Sequence, residues 1–188
     1  MKKILLVFCC VLLSWDASAL EVGGVKLADS IHLGSRDLVL NGAGIRSKFV
    51  FDLYVAALYV GEKKNAADAV LSDAGEKRMA LHLLRDISAE TLSEAFNKAI
   101  KNNHSPAELT ALDASLKQFS AIFATMSEVK KGDVITLDYL PANGTQVGIN
   151  GVAKGTVAGA AFNTALLKVW LGNKPAQDDL KKKLLGGQ

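Results

Sequence analysis

Residues Leu40–Val60 read LNGAGIRSKFVFDLYVAALYV. The second part, Phe49–Val60, is long, apolar and rich in aromatic and β-branched residues, which is typical of a strand buried on both faces of a sheet. The first part contains Asn41-Gly42-Ala43-Gly44. These glycines predict a turn, because glycine adopts the positive φ angles that other residues resist. The stretch therefore predicts a turn followed by a central strand.

Two amphipathic helices are predicted on the C-terminal side of this strand. Ser88 can cap the first, whose apolar residues recur every three or four positions from Leu92 to Ile100. Ser105-Pro106-Ala107-Glu108 combines a capping box with proline at the first helical position, so it predicts the start of the second. We expect the pair to form a helical hairpin that lies on the sheet.

Three strands and two further helices are predicted in the C-terminal part. Val134–Leu140 is the first strand, and the turn signals Asn143-Gly144 and Asn150-Gly151 indicate two more antiparallel strands. Gly159–Leu171 and Pro175–Leu185 predict helices. Because blocks of strands alternate with blocks of helices, we expect an α+β fold, with an open-faced antiparallel sheet and a layer of helices on one face.

The N-terminus has the three parts of a secretory signal peptide. Lys2-Lys3 supplies positive charge, Ile4–Leu13 is an apolar run without charges, and Ala17-Ser18-Ala19 is a small-x-small cleavage site. The apolar run is shorter than the ~20 residues that a membrane-spanning helix needs. We therefore expect a cleaved signal peptide at residues 1–19 and one domain at 20–188, in the periplasm or secreted.

Composition excludes several function classes for the mature chain. Cleavage after Ala19 removes Cys9 and Cys10, so no disulfide, thiolate metal site or cysteine nucleophile is available. The formal charge falls from +3 to +2, because two lysines and one aspartate are lost, and no basic block suits nucleic acid. No further segment has transmembrane length. The three histidines have no metal-type spacing, so we predict no metal and no cofactor; they are His32, His82 and His104.

Several of these motifs, in this order, resemble chalcone isomerase-like proteins. The resemblance covers nearly all of the mature domain; it is carried by Leu40–Arg46, Lys48-Phe49, Tyr54–Val60, Leu84–Ile87, Lys131–Asp133, Asn143-Gly144, Asn150-Gly151, Leu166–Gly172 and Pro175. That family includes plant enzymes that close a chalcone into a flavanone, plant relatives that hold a fatty acid in the same cleft, and microbial relatives. The resemblance implies an open-faced sheet with helices on it and a cleft between the two layers.

The same resemblance implies that Arg46 and Tyr54 bind a ligand. Arg46 matches the arginine of the family's cleft, which stabilises an oxyanion in the enzymes and grips a carboxylate in the lipid-binding relatives, where a planar guanidinium can form two parallel hydrogen bonds. Tyr54 stands where the lipid-binding relatives place a tyrosine, and its hydroxyl can donate to the same carboxylate. The alternatives are an Arg46 that pairs with an acidic side chain or caps a helix end, and a Tyr54 that is a core residue with a satisfied hydroxyl.

The spacing of these two residues sets a geometric condition. Arg46 and Tyr54 are eight positions apart, which is ~26 Å along a straight strand. They can face one cleft only if the chain turns near Ser47-Lys48 or if Arg46 reaches in from a loop.

Apolar residues match other positions that are polar in the plant enzymes. By the resemblance, the tyrosine and asparagine of the enzymes' cleft helix fall at Leu92 and Ala99, and the threonine or serine of the terminal helix falls at Val169. The donors that orient a phenol and its water are then missing. This argues against chalcone cyclisation and for an apolar cleft.

Three functional hypotheses follow. The first is a non-catalytic periplasmic binding protein for an amphipathic carboxylate, such as a fatty acid, with Arg46 at the head group. The second is an isomerase or lyase of the chalcone isomerase type that acts on another substrate. The third is an interaction module of the cell envelope without a small ligand. The sequence leaves the oligomeric state open.

Overall fold

A computed structural model describes residues 20–187, so the predicted signal peptide lies outside the described residues. The structure contains strands and helices in the following order: β1 (Leu20–Val22), β2 (Val25–Leu27), β3 (Ser30–Leu33), β4 (Arg36–Lys48), β5 (Phe51–Val60), α1 (Ala67–Leu71), β6 (Lys77–Leu83), β7 (Ile87–Ser88), α2 (Ala89–Asn102), α3 (Pro106–Ala124), β8 (Glu128–Val129), β9 (Val134–Leu140), β10 (Gly144–Ile149), β11 (Val152–Val157), α4 (Ala160–Leu171) and α5 (Asp178–Leu184). Among residues 20–187, no helix combines the length and the apolar character needed to cross a bilayer.

A seven-stranded antiparallel sheet forms the centre of the fold, in the order β11-β10-β9-β6-β5-β4-β3. Helices α2, α3 and α4 contact one another, and their apolar side chains pack with the sheet into the larger core. Aromatic rings meet in this core; they are Phe96, Phe119, Phe123, Phe162 and Trp170. The opposite face of the sheet carries a smaller apolar cluster, against which residues of the β1–β2 hairpin pack. The predicted α+β class with its antiparallel sheet and helix layer is confirmed.

The predicted central strand is present as β5, which pairs with β4 on one side and β6 on the other. Every residue of Tyr54–Val60 is buried, as expected for a strand covered on both faces. The strand begins later than predicted, because Phe49 and Val50 form the turn that joins β4 to β5. Phe49 adopts a φ of 55°, in the left-handed region that bulky residues rarely enter.

The turn predicted at Asn41–Gly44 is wrong, because these residues lie inside β4. A Cβ atom at Gly42 would lie 2.1 Å from the Lys183 carbonyl oxygen of α5, and one at Gly44 would lie 3.0 Å from the Leu180 side chain. The glycines therefore allow a helix to approach the strand closely. Glycine is needed both where two backbones approach closely and where the chain turns. The same pattern of glycines therefore marks either feature.

A β-bulge in β4 decides which way Arg46 faces. The pairing with β5 shifts between Leu40 and Gly42. Leu40 and Ala43 are three positions apart and would face opposite sides of a regular strand, but because of the shift both belong to the small cluster. A shift of one residue sends all later side chains of a strand to the other face. Gly42, Gly44 and Arg46 are thereby directed to the helix side, where α5 and the larger core lie.

Asn41, the extra residue of this bulge, is buried, and both ends of its side-chain amide are hydrogen-bonded. Its side-chain amide donates to the carbonyl oxygens of Lys64, at 2.9 Å, and Leu184, at 2.7 Å. Its side-chain oxygen accepts from the Lys64 backbone N–H at 2.6 Å. These bonds tie the bulge to the chain after β5 and to the end of α5.

The starts predicted for α2 and α3 are confirmed, but the last helix is shorter than predicted and begins later. The Ser88 side chain accepts from the Thr91 backbone N–H, and Ser105 forms the capping box of α3. Helix α5 begins at Asp178 instead of Pro175. The preceding segment is held outside the helix, because the Ala176 N–H donates to the Val169 carbonyl oxygen at 2.7 Å.

Candidate functional site

A cavity of about 730 Å³ lies on the helix side of the sheet. Its walls are the end of the β4–β5 hairpin, residues 85–88, one face of α2, Val169 of α4, and residues 174–176. The lining residues on α2 run from Thr91 to Asn102, which corresponds to about 16 Å at 1.5 Å per helical residue. The cavity is therefore a groove along α2, of the volume that small-molecule sites have, about 300–1,000 Å³.

Arg46 and Tyr54 lie side by side on this groove. The chain reverses at Phe49-Val50, and Arg46 of β4 is paired directly with Tyr54 of β5. Residues opposite each other in an antiparallel pair have Cβ atoms about 5 Å apart. The eight-residue spacing required a turn near Ser47-Lys48, and the turn at Phe49-Val50 meets this requirement. Their part in binding a ligand stays a prediction.

Arg46 has no carboxylate partner among residues 20–187. Its Nη1 donates to the Gln177 side-chain oxygen at 3.1 Å and to the Ser47 carbonyl oxygen. Asp52, the carboxylate next along β5, accepts from the Ser47 hydroxyl at 2.6 Å. Since a guanidinium has five N–H donors, the contacts of Nη1 leave Nε and Nη2 for an anion.

Gln177 is a site residue that the sequence did not reveal. Its side-chain oxygen accepts from Arg46 Nη1 and, at 3.0 Å, from the Ser47 backbone N–H. It stands 131 positions from Arg46 and in no recognisable motif, so only the three-dimensional structure brings the two together. Gln177 fixes the guanidinium against β4 and links it to the N-terminus of α5.

Tyr54 presents a neutral hydroxyl. The side chain is only 6% exposed, and its oxygen accepts from Trp170 Nε1 at 3.1 Å. Burial raises the pKa of the Tyr54 phenol, while the Trp170 hydrogen bond and the charge of Arg46 act in the opposite direction. The phenol therefore keeps its proton at neutral pH. Because the Trp170 bond uses a lone pair, that proton is free for a ligand acceptor.

This raised pKa predicts a loss of stability in alkali. The ordinary pKa of tyrosine, here 10.0, applies to the unfolded chain, and the folded protein has a higher one. At pH values below the ordinary pKa, the group makes its full contribution to stability. This contribution is lost as the pH rises through the pKa of the folded state. Above pH 10 we expect the thermal midpoint of the wild type to fall more steeply with pH than that of Tyr54→Phe. Parallel curves would contradict this origin of the alkaline sensitivity.

The remaining walls of the groove combine apolar side chains with charged and polar ones. Leu92, Phe96, Ala99 and Val169 line the interior, so the three apolar positions noted from the sequence do meet Arg46 and Tyr54 in one cavity. Further cations line the groove; they are Lys48, Arg85, Lys98 and Lys174, against the carboxylates Asp86 and Glu94. The groove thus combines apolar lining residues with more cationic than anionic side chains, which suits an amphipathic anion.

Across residues 20–187, histidine, cysteine, aspartate and glutamate form no group of three or more that could hold a metal ion. The His82 imidazole is half-buried, and burial lowers its pKa, which favours the neutral form. His32 lies at the surface, where it pairs with Asp37.

Comparison with known proteins places the chain in a family. The chalcone isomerase-like family matches residues 19–186. The crystal structure of a fatty-acid-binding protein from Arabidopsis thaliana is similar, with a TM-score of 0.66 and 16% sequence identity, over 86% of this chain and 92% of that one. This likeness shows a shared fold. No curated protein sequence matches the chain. With the family matched over nearly all of the described residues, the chain belongs to the chalcone isomerase-like family.

Proposed function

We propose that this protein is a non-catalytic carrier of an amphipathic carboxylate, such as a fatty acid, exported to the periplasm by its N-terminal signal peptide. One observation supports this above all. The guanidinium of Arg46, which forms no ion pair among residues 20–187, and the hydroxyl of Tyr54 stand next to each other on a groove that also has apolar side chains in its walls. The fatty-acid-binding protein of similar fold gives independent support for a lipid ligand.

The carboxylate would lie at Arg46, with Tyr54 as a second donor. Charge-assisted hydrogen bonds from a guanidinium are among the strongest in proteins. The side chain of Gln177 already holds the Arg46 guanidinium in place. The acyl chain would lie against Leu92, Phe96 and Val169. A groove of about 16 Å is long enough for it, since one leaflet of a bilayer's hydrocarbon core is about 15 Å thick.

The experiment is to express residues 20–188, extract the purified protein with organic solvent and identify what is released by mass spectrometry. We expect an acyl carboxylate in about equimolar amount. The delipidated protein should bind palmitate in a titration. Ala99→Trp would fill the groove and abolish both results, because Ala99 lines it. Ala114→Trp is the matched control, since Ala114 is an exposed residue of α3 outside the cavity.

Other outcomes would reject the carrier function. An empty extract, with no thermal shift on addition of fatty acids, would favour an interaction module. Conversion of a chalcone or a related enone by the purified protein would favour the isomerase. Equal binding in Ala99→Trp and Ala114→Trp would show that the ligand binds somewhere other than this groove.

A further inference from the structure

The tip of the β4–β5 hairpin exposes an apolar patch. Five large hydrophobic side chains are exposed among residues 20–187, and three of them are consecutive here: Phe49, Val50 and Phe51, at 91%, 87% and 53%. Single exposed apolar residues are ordinary, but a contiguous exposed group marks an interaction site. Phe49 also holds a left-handed φ of 55°, so this bulky side chain is displayed at a conformational cost.

Cations flank this apolar tip. Lys48 precedes it and is exposed, and the Arg85 guanidinium lies 4.5 Å from the centre of the Phe51 ring. Two acidic residues are nearby, and each is engaged: Asp52 accepts from the Ser47 hydroxyl, and Asp86 accepts from the Lys131 backbone N–H and pairs with Lys130. Exposed aromatic side chains beside lysine and arginine are typical of segments that lie in the interface of an anionic bilayer.

The tip also borders the groove. Lys48 and Arg85 both line the cavity. Lys48 directly precedes Phe49 in the chain, and the Arg85 guanidinium lies over the ring of Phe51. A surface that contacts the tip therefore contacts the entrance of the groove.

We propose that the hairpin tip, residues 48–51, docks the protein on an anionic lipid surface. Phe49 and Val50 enter the interface of the bilayer, and Lys48 and Arg85 contact the phosphates of the head groups. The groove then opens beside the membrane, and an acyl ligand can enter or leave without crossing water. The docking is inferred from the tip alone. The transfer of an acyl ligand between groove and membrane rests on the proposed function.

The size of the tip favours a lipid surface over a protein partner. Its three side chains offer roughly 500 Å² of contact, since an aromatic side chain buries about 150–250 Å². A stable protein interface needs about 800 Å² from each partner. Two or three inserted side chains supported by a few cations give weak, reversible membrane binding, which suits a carrier that must leave again.

The test is flotation of residues 20–188 with vesicles of phosphatidylcholine, alone or with one quarter phosphatidylglycerol. We expect binding to the anionic vesicles, several-fold weaker binding to the neutral ones, and a loss of binding in 0.5 M salt. The double variant Phe49→Asp, Val50→Asp should bind at least tenfold more weakly. Its fatty-acid affinity in solution should not change, because neither residue lines the cavity. Val152→Asp is the matched control, an exposed apolar residue in another hairpin.

Three results would overturn the docking proposal. They are no binding of the wild type to anionic vesicles, an equal loss in Val152→Asp, and a wild-type dimer that the double variant dissociates without change in vesicle binding. The last would identify the tip as a protein interface. Vesicle binding by a protein whose solvent extract is empty would support the docking and reject the carrier function, so the two proposals can fail separately.

Discussion

Arg46→Ala is expected to weaken fatty-acid binding about 10- to 100-fold. Arg46 supplies charged donors beside Tyr54 at the proposed head-group position, and a hydrogen bond to a charged group contributes about 1.5–3 kcal/mol. At 1.4 kcal/mol for each factor of ten, the loss lies in that range. The apolar walls stay intact, so residual binding of the acyl chain is expected.

Two companion variants isolate the role of the guanidinium. Arg46→Lys keeps the charge but loses the planar fork, so its affinity should lie between the wild type and Arg46→Ala. Arg36→Ala is the control, because Arg36 is an exposed arginine outside the groove. Affinities are measured by titration of the delipidated protein with palmitate. Indistinguishable affinities for Arg46→Ala and Arg36→Ala would remove Arg46 from the head-group site.

The pairing of Arg46 with Tyr54 shows how far sequence reasoning reaches here. Resemblance to the family selected both residues, and their spacing of eight required a turn between them. That turn carries the dipeptide Phe49-Val50, which has none of the usual turn residues. The apolar pattern therefore predicts that this pair belongs to the strand. The misassignment and the exposed tip have the same origin, since residues suited to a buried strand are displayed at the surface.

Two other features of the site depend on contacts that are distant in sequence. The bulge at Asn41 turns Arg46 toward the helices, but its signal is one asparagine before a glycine, which also marks a turn. Gln177 reaches Arg46 only because residues 175–177 leave the helical path and run back along α4. Local periodicity predicts elements well, but it does not encode where two strands shift register or where a helix starts late.

Gly42→Ala is expected to cost about 3 kcal/mol of unfolding free energy, or more. The added Cβ would lie 2.1 Å from a backbone carbonyl oxygen of Lys183, which no rotamer change can relieve. Overpacking a tight contact costs about 1–3 kcal/mol, and a rigid backbone neighbour puts this case at the upper end. For a domain of this size the thermal midpoint should fall by roughly 6–12 °C.

Gly61→Ala is the matched control for this change. The nearest atoms to a Cβ at Gly61 are 3.9 Å away on the Arg36 side chain, and Gly61 has no positive φ. Alanine there should be neutral or slightly stabilising, since it reduces the freedom of the unfolded chain. Urea unfolding of the wild type and both variants measures the difference. Equal stabilities would mean that α5 can move away from β4 at little cost.

The same substitution links the packing of the fold to the site. Helix α5 follows directly after Gln177, whose side chain holds the Arg46 guanidinium, so a helix pushed away from Gly42 pulls this contact apart. We therefore expect Gly42→Ala to weaken fatty-acid binding as well, at temperatures where the variant is still folded. Gly61→Ala should not. If Gly42→Ala lost stability but kept full affinity, Arg46 would be positioned by β4 and Ser47 alone, and the contact with Gln177 would be dispensable.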